Sequence, residues 1–172
     1  MGKLILVCGA NSSGKSLYAE ELVSRTRGPR YYIATMLRNF EENHARIEKH
    51  QKQRAHLNFQ TLEMPYELKS AQIPGNAVVL LEDVSNLLAN VIFDKKGEPE
   101  QVLEEILDLQ GRCETLIAVS ISGLRDEGYG GETAAYIQAL NHINEELFAC
   151  SQVMIEMQDR EPIYRKGDET QC

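Results

Sequence analysis

Leu4 to Cys8 form a short apolar run that leads directly into Gly9-Ala10-Asn11-Ser12-Ser13-Gly14-Lys15-Ser16. The second segment fits G-x-x-x-x-G-K-[ST], and Ser13 to about Arg25 reads as a helix with Leu17, Ala19, Leu22 and Val23 toward one side. A buried strand, a glycine-rich turn and a helix in that order form a phosphate cradle. Backbone N–H groups turn inward onto phosphate oxygens, and the helix N-terminus adds positive partial charge. Gly9 and Gly14 permit the backbone angles and the close approach. Lys15 can reach the β- and γ-phosphates, and the Ser16 hydroxyl suits Mg²⁺. Gly9 through Ser16 are therefore candidate nucleotide contacts, with Lys15 also catalytic and Ser16 also a metal ligand. The bland alternative, a glycine turn that merely caps a helix, fits the strand before it poorly.

The rest of the chain repeats the alternation. Strands are expected at Arg30–Thr35, Phe59–Leu62, Ala77–Leu81 and Leu116–Ser120, and helices at Phe40–His56, Val84–Phe93, Pro99–Cys113 and Glu132–Cys150. Val153–Met157 with Ile163-Tyr164 reads as a closing hairpin, and Lys166 to Cys172 as a frayed tail. Wholly apolar strands separated by helices predict an α/β fold with a mostly parallel sheet covered on both faces. With 172 residues and no repeat or linker, one domain over 1–172 is expected.

Eighteen Lys and Arg against 26 Asp and Glu leave a net charge of −8, which argues against general nucleic-acid binding or an anionic membrane surface. No apolar run is long enough to span a membrane, and the apolar start is too short for a signal-peptide core. The four cysteines form no C-x-x-C pair; Cys8 and Cys150 sit among apolar neighbours and read as buried thiols. A reducing cytoplasm fits this usage.

Two further features bear on chemistry. Val78-Val79-Leu80-Leu81 ends in Glu82-Asp83, and carboxylates at strand ends gather at the ligand edge of a parallel sheet. Asp83 suits a helix cap, so Glu82 is the candidate metal ligand beside Ser16. Arg46, His50 and Arg54 share a helical face at i, i+4 and i+8, flanked by Lys49 and Lys52. Cations around His50 lower its pKa and leave it neutral, hence nucleophilic, near pH 7. The spacing fits a solvated, charged helix as well. His44, His56 and His142 read as surface or packing residues.

Together these features resemble the bifunctional adenosylcobinamide kinase/adenosylcobinamide-phosphate guanylyltransferase family of cobalamin biosynthesis. The loop Gly9–Ser16, Tyr32-Ile33-Ala34-Thr35, R-I-x-x-H-x-x-x-R at Arg46 to Arg54, Thr61 with Glu63, and Leu80-Leu81-Glu82 followed by Asn90-Val91-Ile92 match in order and spacing through about residue 93. The resemblance implies a P-loop NTPase (RecA-like) fold and two reactions. A nucleoside triphosphate, GTP or ATP with Mg²⁺, phosphorylates the adenosylcobinamide hydroxyl. GTP then transfers GMP through a histidine-bound intermediate to the corrinoid phosphate, releasing pyrophosphate. His50 holds the guanylylated position, and Ala34, Thr35, Met36, Gln51, Lys52, Gln53, Arg54, Glu63 and Glu82 match nucleotide contacts. Family members usually form trimers, which implies a homo-oligomer.

The chain also departs from the family. Arg54 is followed by Ala55 rather than proline, and Phe59 stands where the family has tryptophan. The family's N-E-V-G and I-V-P become Ser120-Ile121-Ser122-Gly123 and Leu124-Arg125-Asp126-Glu127-Gly128, so Ile121 replaces an acid. Asn144 and Leu147 agree again. The departures bear on corrinoid binding or on one of the two reactions. Two other readings therefore stay open: a diverged P-loop kinase of another small alcohol, and a non-catalytic GTP-binding regulatory protein.

Overall fold

The structure, a computed structural model, describes residues 2–37 and 41–172. Strands β1 (Lys3–Gly9), β2 (Arg30–Ala34), β3 (Gln60–Glu63), β4 (Val78–Glu82), β5 (Thr115–Ile121), β6 (Val153–Gln158) and β7 (Glu161–Lys166) form one sheet in the order β3-β2-β4-β5-β1-β6-β7. All neighbours pair in parallel except β6 and β7, which form an antiparallel hairpin. β1, β4 and β5 lie inside the sheet, and residues such as Leu4, Leu6, Leu80, Leu81, Ile117 and Val119 are fully buried. Apolar side chains on both faces require a covering layer on each side, which the crossover helices supply.

Helix α1 (Lys15–Ser24) covers one face, packing Ala19, Leu22 and Val23 onto Ile5, Val7 and Leu80. Leu17 departs from expectation. It is 69% exposed, because it lies two residues from both Lys15 and Ala19 and so points away from the buried stripe. Helices α3 (Val84–Ala89), α4 (Pro99–Arg112) and α5 (Gly131–Cys150) cover the other face through Leu87, Leu88, Ile106, Leu109, Leu140 and Leu147. Helix α2 (Glu41–Arg54) buries only Ile47 and Arg54. The expected start of that helix at Phe40 lies outside the described residues.

Three local expectations are corrected. The helix expected over Val84–Phe93 ends at Ala89 and continues as a wider π turn over Asn90–Asp94. Cys150 is exposed because the last turn of α5 has left the core, whereas Cys113 is buried; all four thiols are free. The tail is not frayed. Asp168 and Gln171 form a capping box around a short 3₁₀ turn, Arg25 pairs with Glu169 at 2.9 Å, and Lys3 Nζ donates to the Gln171 carbonyl at 2.6 Å. Among the described residues, no helix is long and apolar enough to cross a membrane.

Candidate functional site

β1 ends at Gly9 and α1 begins at Lys15, so the loop between them sits at the carboxyl edge of the sheet. Both glycines are needed there. Gly14 caps α1 at φ 88°, and a Cβ on Gly9 would come within 2.3 Å of Ser13 Oγ and 3.0 Å of the Met157 carbonyl oxygen. Lys15 is 8% exposed and folds back over the loop, its Nζ donating to the Ala10 carbonyl at 3.1 Å.

The carboxylates at the end of β4 divide their work. Asp83 caps α3, its Oδ1 accepting from the Asn86 N–H at 2.7 Å and the Ser85 hydroxyl at 2.6 Å. Glu82 is hydrogen-bonded by the Ser16 side chain, while its buried Oε1 has no partner among the described residues. Burial raises the pKa of both carboxyls; the adjacent Asp83 raises Glu82 further, and Ser16 and Lys15 pull it back. A serine hydroxyl beside a carboxylate with a free oxygen is a hard-oxygen donor set that fits Mg²⁺, which keeps most of its shell from water and phosphate.

Helix α2 lies across this edge. Arg46, Ile47, His50 and Arg54 face a cavity of about 190 Å³ shared with Lys15, Ser16 and Glu82. Asn11, Ala34 and Met36 also line it. His50 is half-buried, and its pKa is lowered first by desolvation and then by Arg46, Arg54 and Lys49. Arg54 is 5% exposed, its guanidinium stacked 3.6 Å from the Tyr32 ring centroid. Other candidates lie elsewhere. Gln51, Lys52 and Gln53 are absent from the lining, since successive helical residues turn by about 100°. Glu63 is exposed at the end of β3. Gly9, Ala10, Ser12 and Ser13 line a second hollow on the β6 side of the loop, near Glu156 and Asp159.

Thr35 is fully buried beneath the site. Its single hydroxyl proton is shared between the Glu82 and Asp83 carbonyls at 3.0 and 2.9 Å, and its oxygen accepts from the Asp83 N–H at 2.8 Å. Thr35 thus pins the end of β4 to β2. Asn90 in the π turn donates to the Thr35 and Pro65 carbonyls at 2.8 and 2.9 Å, tying the same corner. At the end of β5, Asn144 accepts from the Ser120 hydroxyl and donates to the Ile121 carbonyl, and Ile121 reaches the cavity. Sequence reasoning passed over Tyr32 and Asn86, which also line it. The signal for Tyr32 was the two-residue period of a strand, which puts it on the same side as Ala34.

The comparisons agree with this architecture. The cobinamide kinase/cobinamide phosphate guanyltransferase family model, CobU, matches residues 5–153. The bifunctional adenosylcobalamin biosynthesis protein CobU of Escherichia coli (strain K12) is 36% identical over 124 residues, 67% of this chain and 66% of that protein, just under two thirds of its length. A Pyrococcus horikoshii OT3 protein superposes with a TM-score of 0.53 at 12% identity, over 99% of this chain and 89% of that one. A type III secretion system ATPase from pathogenic bacteria gives 0.57 at 11% identity, over 92% of this chain and 51% of that one. The structural likenesses show the fold, a P-loop α/β sheet flanked by helices. The family match over residues 5–153 shows more: this chain is a member of the cobinamide kinase/cobinamide phosphate guanyltransferase family.

Proposed function

We propose that this chain, acting as one domain, phosphorylates adenosylcobinamide and transfers GMP from GTP to the resulting corrinoid phosphate. One observation carries the reading: a single cavity brings the phosphate-loop Lys15 and Ser16 together with Glu82 and His50, which come from α1, β4 and α2. In the nucleotidyl step a neutral His50 ring nitrogen attacks the α-phosphorus of GTP, and the bond to pyrophosphate breaks. An oxygen of the corrinoid phosphate then attacks the same phosphorus, the histidine leaves, and a GDP-linked corrinoid results. Lys15 and the loop N–H groups hold the phosphate charge, and Arg54 presents a further cation. The lowered His50 pKa supports its role, because only the unprotonated ring has a lone pair to offer. Ser16 and Glu82 would hold Mg²⁺, which when bound neutralises phosphate charge. The phosphoryl donor is GTP or ATP, and the assembly proposed is a homo-oligomer in the cytoplasm.

Incubation with GTP labelled on the α-phosphate, then denaturation and mass analysis of the His50 peptide, tests the reading. A GMP adduct on His50 supports it. Bound GTP without an adduct supports a second reading, a diverged P-loop kinase or a regulatory GTP-binding protein. Ile121 favours that alternative, since it lines the cavity where the family carries an acid.

A further inference from the structure

An arginine in the last turn of a surface helix ordinarily carries its head group to water. Arg54 does not. It is 5% exposed, its guanidinium carbon lies 3.6 Å from the Tyr32 ring centroid, and its buried Nη1 has no partner among the described residues. Tyr32 is itself braced. It stands in the middle of β2, paired with Thr61 on one side and Leu80 on the other, and Phe59 meets its ring at 5.5 Å and 66°. Glu20 of α1, also buried, provides an opposing charge that interacts with Arg54. Among the described residues no hydrogen bond of the Tyr32 hydroxyl enters this arrangement; the ring face makes the contact.

We propose that Tyr32 is a positioning residue, whose ring holds the Arg54 guanidinium flat so that its free N–H edge meets an anionic oxygen of the bound nucleotide. A stacked guanidinium keeps its in-plane donors available, so stacking and phosphate binding use different parts of the group. The stack also fixes the end of α2. Arg54 is the last residue of that helix and His50 lies one turn before it, so the Tyr32–Arg54 contact sets where His50 stands over the sheet. Phe59, the aromatic that follows this helix, acts as the brace for the ring. The inference rests on the nucleotide-binding reading above and gives the first residue of Tyr32-Ile33-Ala34-Thr35 a task.

The test uses the full chain, equilibrium binding of GTP, and the rate of the GMP adduct at limiting and saturating GTP. Tyr32→Phe keeps the ring and is expected within about twofold of the parent in affinity. Tyr32→Met fills the volume without an aromatic face and is expected to weaken GTP binding about tenfold, the scale of one charge-assisted hydrogen bond, with a smaller effect at saturation. Arg54→Gln is expected to weaken binding at least as much, and Tyr32→Met/Arg54→Gln no more than Arg54→Gln alone. Phe59→Leu, at a half-buried site, loosens the brace and is expected to show the same loss in smaller measure; it serves where Tyr32→Met fails to fold. Equal affinity for Tyr32→Phe and Tyr32→Met overturns the proposal. So do multiplying losses in the double variant, or unchanged affinity in Phe59→Leu when Tyr32→Met does not fold. A Lys15→Ala variant with undiminished GTP affinity would instead sink the nucleotide-site reading itself.

Discussion

Replacing Thr35 by valine isolates one hydrogen-bond junction. The shape is nearly conserved, so the cost lies in the hydroxyl. Three contacts disappear, but they are not equal. The Glu82 carbonyl still accepts from the Thr35 N–H at 3.0 Å, and the Asp83 carbonyl still accepts from the Leu87 N–H at 3.2 Å. Both acceptors stay satisfied. Among the described residues the Asp83 N–H has only the Thr35 hydroxyl, at 2.8 Å, and would be left unpaired against a fully buried side chain. An orphaned buried donor costs about 1–3 kcal/mol, so Thr35→Val is expected to destabilise by about 2 kcal/mol. For a chain this size that is a fall in Tm of roughly 4–8 °C. Thr35→Ser keeps the hydroxyl, loses one buried methyl, and is expected to cost about 1 kcal/mol. Urea unfolding with an unchanged m-value measures both. Should the valine variant equal the parent, or exceed the serine variant in stability, the assignment of Thr35 as the pin between β2 and β4 is wrong.

Other consequences can be checked alongside. In the proposed mechanism His50 reacts as the free base, so adduct formation is expected to fall as pH drops through its pKa. Burial and the nearby cations put that midpoint below the ordinary 6.5, and Arg46→Gln, which removes one like charge, moves it upward; a pH–rate profile reads the shift. Lys15→Ala would remove the proposed charge-assisted contact to phosphate, so nucleotide affinity is expected to fall roughly 10–100-fold by equilibrium titration. Glu82 has its folded-state pKa raised by burial, so its ionised form lowers stability at pH values above the unfolded carboxyl pKa. Glu82→Gln is therefore expected to raise the metal-free Tm at neutral pH while abolishing Mg²⁺-dependent transfer, measured by calorimetry and by product formation.

Much of the fold was legible because its signals are local. The apolar runs at Leu4, Val78 and Leu116 marked interior strands, since only a sheet covered on both faces hides such runs. The glycine-lysine-serine pattern marked a strand–loop–helix turn, and the loop does join β1 to α1. The spacing of Arg46, His50 and Arg54 defined a helical face, though not what that face covers. Errors arose where a face or an end had to be chosen. Leu17 is as apolar as Leu22 but sits on the wrong side of α1. The polar tail has no hydrophobic pattern, yet the Arg25–Glu169 pair and the Asp168 capping box order it.

Backbone conformation, strand identity and the phosphate loop follow from spacing within a few turns, because periodicity and glycine geometry act over short range. The roles of Thr35, Tyr32 and the two adjacent acids do not. Asp83 became a cap and Glu82 a free oxygen donor because α3 starts at one and Ser16 stands across from the other. Tyr32 became the bed for Arg54 because parallel pairing sets β2 beneath the end of α2. Those outcomes depend on which groups meet across the sheet edge, and contacts between residues far apart in the chain exist only once the sheet has closed.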